Sequence, residues 1–277
     1  NGAGLVGSEM CIRDRSKAAD LEGRIADEME MLRRVSLENR GFSLADDPAA
    51  VSQGIPDGEI QLFFSIEWFG EIFANDLSVV RRYRNLGVRV IGLTEEDSDG
   101  LFESAGRSAA LTPLGRGVVA AMNEAGVLID ITHLAHEQKL EVIAQSRAPV
   151  IASHSLVQAV SPDDSFNLPD KVVAALADSG GSVWVSFDKS GLVGDHPGED
   201  AVDRLVDHIE VLVARLGPDH VGIGTDLQAG GKYVPDALNQ EDSIARIHRR
   251  LQDRGFDEQT IDGILGSNVM RVLAAFD

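Results

Sequence analysis

Only one cysteine, Cys11, occurs in the 277 residues. No internal disulfide can form, and a disulfide-stapled extracellular scaffold is excluded. Aromatic side chains make up 5% of the chain, which leaves Val, Leu, Ile and Ala to build a core. Positive charge is also scarce: 25 Lys and Arg stand against 45 Asp and Glu, a formal net charge of −20. The basic clusters that a phosphate backbone requires are missing, so nucleic acid is not an expected partner. No apolar run reaches the roughly 18 residues of a membrane span, and no secretory h-region is visible. A cytoplasmic location is favoured on those grounds. What the chain does have is a 43% hydrophobic fraction, enough for a large core and too much for a disordered chain.

The stretch Asn1 to Arg15 (NGAGLVGSEMCIRDR) has no initiator Met and no hydrophobic periodicity. It is read as a non-native segment, with the native chain beginning further upstream. From Ser16 to Arg34 the spacing of Leu21, Ile25, Met29 and Leu32 predicts a helix. Gly41 through Gly58, with Pro48, Pro56 and Asp57-Gly58, reads as a polar connection.

Beyond it, strand-like runs alternate with amphipathic helices. The strands are expected at 60–66, 88–93, 127–131, 150–152, 182–187 and 221–224, and the helices near 77–85, 113–124, 137–146, 169–178, 202–216, 240–254 and 258–276. That alternation indicates βαβ units and a parallel sheet. Gly87, Gly126, Gly180 and Gly217 each follow a helix, where a left-handed cap is expected. A doubly wound sheet accepts six strands, but no Gly-x-Gly-x-x-Gly opens a helix after the first of them. Glu67, Thr94, His133, His154 and Asp226 each stand at or just past the C-terminal end of a different strand. That face is where (β/α)8 TIM barrels keep their chemistry. A TIM barrel is therefore the expected fold, in one domain over residues 16–277.

His133 and His154 close consecutive strands, and Glu67 adds a carboxylate from another. Imidazole and carboxylate suit zinc and related divalent ions. Asp226, in Gly224-Thr225-Asp226, is placed to take a proton from an activated water and return it to a leaving amine. A single strand-end histidine is more often a hydrogen-bonded structural group; two on adjacent strands with a carboxylate on a third make a ligand set an even proposition. His136 reads as surface or supporting, and His196, His208, His220 and His248 are given no role. Trp68, Phe69 and Phe73 are expected to pack or to line a rim. The acidic run 95–99 lacks the spacing of a calcium loop.

Several stretches resemble the membrane (renal) dipeptidase family of zinc peptidases: IEWFG at 66–70, GVRVIGLT at 87–94, LTPLGRGVVAAMNEAGVLIDITH at 111–133, SRAPVIASHS at 146–155, NLPD at 167–170, GIGTD at 222–226 and GSNVMRVL at 266–273. They occur in the family's order. The resemblance implies an eight-stranded barrel with two zinc ions bridged by a glutamate. Glu67 would be the bridging residue, His133 and His154 ligands of the second zinc, and Asp226 the acid/base. The implied reaction is attack of a metal-bridging hydroxide on the amide carbon of a small peptide or N-acyl amino acid. Homodimers are common in the family. Two departures stand out. No His-x-Asp strand precedes His133, which implies a chain truncated by two barrel strands and at most one competent zinc position. Glu95 and Phe166 occupy the positions of the family's substrate-binding His and Arg, removing donor character where a carboxylate docks. The alternative reading is a non-catalytic homologue or inactive fragment serving in binding or structure.

Overall fold

The computed structural model describes residues 18–39, 41–44, 60–67, 76–94, 100–103, 110–194, 200–227 and 232–275. It divides into two compact units, Asn1–Val150 with Val272–Asp277, and Ile151–Arg271.

The first unit opens with α1 (Ala18–Glu38), the helix expected from the leucine and methionine spacing, with Met29 buried. Three short strands follow: β1 (Phe42–Leu44), β2 (Ile60–Leu62) and β3 (Phe64–Ile66). The run expected as one strand over 60–66 is thus two, and the polar connection contains a strand of its own. β1 and β2 pair in parallel, whereas β3 pairs with β4 (Val88–Thr94). Phe63, between them, is itself buried. An unbroken apolar run cannot mark where a strand changes partner. Arg33 of α1 donates to the Leu86 carbonyl (2.8 Å) and lies 5.7 Å from the Phe64 ring centroid.

Leu86 ends α2 (Ser78–Leu86), whose cap Gly87 has φ +108°; the chain then enters β4. α3 (Pro113–Ala125) begins on Thr112, whose hydroxyl accepts from the Gly115 amide (3.1 Å), and Pro113 occupies the first turn, where a missing N–H costs nothing. It ends on Gly126 at φ +67°. β5 (Leu128–His133) pairs in parallel with β4, and α4 (His136–Gln145) follows.

In the second unit β6 (Ile151–Ser155), β7 (Ser182–Val185) and β8 (Val221–Ile223) run parallel, β7 between the other two. They are linked by α5 (Asp170–Ser179), the short α6 (Lys189–Leu192) and α7 (Ala201–Leu216). Every residue of β6 is buried, as is every residue of β7. Both faces are covered, as in a parallel α/β sheet. Gly180 caps α5 in the left-handed region as expected. Gly217 does not: its φ of 89° comes with ψ 154°, a glycine conformation that turns the chain into the 3₁₀ turn Pro218–His220.

α8 (Ser243–Asp253) and α9 (Glu258–Asp262) come next. The helix expected over 258–276 is broken: a π turn at Gly263–Ser267 separates α9 from α10 (Asn268–Ala274). The break has a cause. Asn268 is buried and its amide donates to the carbonyls of Pro218 and Val221, both at 2.8 Å, fastening this segment to the start of β8. The GSN motif thus has a structural role. Among the described residues no helix is long and apolar enough to cross a membrane.

Candidate functional site

Glu67 directly follows β3 and is 3% exposed. His133 is the last residue of β5, and its Nε2 lies 3.5 Å from Glu67 Oε1. A charge-assisted hydrogen bond is shorter, about 2.7–2.9 Å. Two donors each about 2.1 Å from one tetrahedral ion, by contrast, stand about 3.4 Å apart. The spacing and the donor types therefore fit a divalent ion such as zinc.

The local backbone explains how His133 is aimed. Gly92 pairs with Asp130 and Thr94 with His133, so β5 carries one extra residue over this stretch. Such a bulge bends a strand and redirects a side chain, and bulges concentrate beside active sites. Asp130 is buried, and its Oδ1 accepts from the Thr132 amide (3.0 Å) and hydroxyl (2.6 Å), which shapes the bulge.

The second unit repeats the device. Ala152 pairs with Val183 and Ser155 with Val185, giving β6 an extra residue across Ser153-His154. His154 is buried, and its Nδ1 lies 2.8 Å from Ser153 Oγ. That contact orients the ring. Asp226 follows β8 with φ +49°, the one non-glycine residue with positive φ among the described residues. Aspartate tolerates this region better than most side chains, and backbone held there commonly serves a site.

Of the remaining expectations, Glu95, Trp68, Phe69, Phe73, His196 and Cys11 lie outside the described residues. Phe166 is 78% exposed, and its amide donates to Asp164 Oδ1 (2.8 Å). Its ring therefore faces solvent in this structure. The histidines without an assigned role have structural ones. His220 Nδ1 stands 2.9 Å from the Gly181 carbonyl, to which only a protonated nitrogen can bond, and His248 pairs with Glu258 at 3.2 Å on the surface.

His208 is the one that sequence reading undervalues. It is fully buried on α7, where its Nδ1 accepts from the Val157 amide (3.1 Å) and its Nε2 lies 3.4 Å from Ser161 Oγ. Burial pushes its pKa down to about 3, and the nearby Arg204 guanidinium adds to the shift. Its signal was present in the sequence: Leu205, His208, Ile209 and Leu212 share one helical stripe.

The family profile for membrane dipeptidase (peptidase family M19) matches residues 11–277. Among curated proteins, "Dipeptidase tcpJ" of Claviceps purpurea (strain 20.1) is 29% identical over 270 residues, covering 95% of this chain and 60% of the relative. An amidohydrolase from Pseudomonas aeruginosa superposes with a TM-score of 0.81 at 21% identity, covering 97% of this chain and 87% of that one. A metallo peptidase from Rhodobacter sphaeroides, solved with a phosphinate mimic of the dipeptide L-Ala-D-Ala, gives a TM-score of 0.77 at 26% identity over 90% of this chain and 72% of that one. These likenesses show the α/β fold with a parallel sheet expected from the sequence. The chain spans between 51% and 60% of the length of the curated relatives it matches.

Proposed function

The chain belongs to the membrane dipeptidase family of metallopeptidases, and from that premise we propose that it is a zinc-dependent hydrolase of a small peptide or N-acyl amino-acid amide. The observation that carries this reading is the buried Glu67 carboxylate 3.5 Å from His133 Nε2. We assign His154, the histidine of the second unit that is aimed by its own bulge, as the third ligand. A carboxylate and two imidazoles make a hard-and-borderline donor set suited to zinc. A bound divalent ion supplies Lewis-acid polarisation of the amide and activation of water.

The chain's own groups do the rest. Glu67 lies in a buried setting, where electrostatic interactions are stronger than in bulk water. Asp226, held in a strained backbone after β8, is the group that accepts the water's proton and returns it to the leaving nitrogen. By the sequence resemblance, Phe166 and Glu95 occupy the positions of the family's carboxylate-binding Arg and His. A C-terminal side masked as an amide or ester therefore fits this chain better than a free carboxylate.

A screen of L,L-dipeptides, L,D-dipeptides and N-acyl amino acids, each with a free C-terminal carboxylate and as the C-terminal amide, with the zinc-loaded chain tests this. The expected result is metal-dependent cleavage that Asp226→Asn lowers about 100-fold or more in kcat while zinc content is unchanged. Absence of metal-dependent cleavage across the screen contradicts the activity. Full turnover in Asp226→Asn removes Asp226 from the mechanism.

A further inference from the structure

A lysine on a helix next to a strand end ordinarily points to solvent. Lys139 of α4 does not: it is 1% exposed and among the largest fully buried side chains of the chain. Its ammonium donates to the carbonyls of Ile131 (2.9 Å), Thr132 (2.6 Å) and Leu134. An ammonium has three N–H donors and a fixed tetrahedral arrangement of them. Here all three go to backbone carbonyls, and the three residues they hold surround His133 on both sides.

The same four residues are held by other bonds. The Leu134 amide donates to the Ile131 carbonyl (3.1 Å), closing a turn, and the Asp130 carboxylate accepts from the amide and hydroxyl of Thr132. The bulged end of β5 is therefore held by a carboxylate on the Thr132 amide and an ammonium on three carbonyls. His133 sits inside that stretch, with its ring turned to Glu67. If helix packing alone were needed at position 139, an apolar side chain would supply it at lower desolvation cost. A fully buried charge spent on three carbonyls around one histidine has a different use.

We propose that Lys139 is a positioning residue that fixes the backbone around His133 and so sets the affinity of the metal centre. The inference rests on the metal-binding reading above. Groups that orient a ligand typically change metal affinity by about 10–100-fold when removed, because the ligand must then be ordered at the moment of binding.

The test is a Co²⁺ titration followed by its visible absorption, on wild type, Lys139→Met and Val142→Ala. Val142 is fully buried on the same helix and touches none of the three carbonyls through a donor. It controls for lost stability. Lys139→Met is expected to raise the Co²⁺ dissociation constant about 10–100-fold, while Val142→Ala, though less stable, binds as wild type does. Should Lys139→Met fail to fold, Lys139→Gln, which keeps two uncharged N–H donors, is titrated in its place and is expected to lose about tenfold. Wild-type affinity in a folded Lys139 variant overturns the inference and leaves the metal centre standing. Equal weakening in Val142→Ala assigns the effect to stability and also overturns it. A wild-type chain that takes up no Co²⁺ overturns the metal-binding reading and this inference with it.

Discussion

Replacing Gly224 with alanine is expected to cost about 3 kcal/mol of stability, read as a fall in the denaturant midpoint. A Cβ at this position would stand 1.7 Å from the Ser153 carbonyl oxygen and 3.0 Å from Trp184 Cβ. The first of those contacts is backbone against backbone. It cannot be relieved by turning a side chain, so β6 or the segment after β8 must move by an ångström or more. Gly224 is itself held, since its amide donates to the Val185 carbonyl at 3.1 Å. Ser153 is the residue whose hydroxyl orients His154, so displacement there reaches the ligand as well. The glycine of the GIGTD motif is explained by this crossing rather than by any special φ. An unchanged midpoint in Gly224→Ala would show that the strand ends are looser than described.

The second large effect is acid lability. His208 is buried as the neutral ring, because its Nδ1 accepts the Val157 amide hydrogen bond and cannot also carry a proton. Its pKa is lowered in the folded chain to about 3, from the 6.5 of an ordinary histidine. Between those values the unfolded chain binds a proton that the folded chain does not. The stabilisation is therefore complete above about pH 6.5 and is lost progressively as pH falls toward 3, with a slope of about 1.4 kcal/mol per pH unit. At pH 5 the chain is expected to be about 2 kcal/mol less stable than at pH 7. Asp76, lowered to about 2 by hydrogen bonds from Ser78 and Arg82, responds below this window, and Asp257, lowered by the Thr260 amide, shifts in the same direction. In His208→Asn the amide oxygen can still accept from Val157, but nothing at the position titrates. That variant is expected to lose most of the dependence between pH 7 and pH 5. A wild-type slope in His208→Asn would assign the acid sensitivity elsewhere.

The fold was legible where chemistry repeats along the chain. Apolar runs between helices located the strands from Val88 onward to within a few residues, and Gly87, Gly126 and Gly180 marked helix ends because only a left-handed cap suits them. It was illegible where a local pattern carries no partner information. Ile60 to Ile66 reads as one strand, although its two halves pair with different neighbours. Phe42–Leu44 is three residues long, too short to show alternation within a polar stretch. The candidate ligand residues were visible as types at strand ends, yet the bulges that aim His133 and His154 depend on pairing register, which no single strand encodes. Lys139 was invisible for a related reason. Its burial follows from three carbonyls brought to it by a turn, not from its place in the helical pattern.

We propose that Glu67 and His133, with His154 as the third ligand, hold a divalent metal. The most direct measurement is zinc content after exhaustive dialysis of the wild-type chain and His154→Ala, each verified as folded. One zinc per chain in the wild type and none in His154→Ala is the predicted result. A metal-free wild type, two tightly held ions, or a His154→Ala chain that retains its zinc would contradict it.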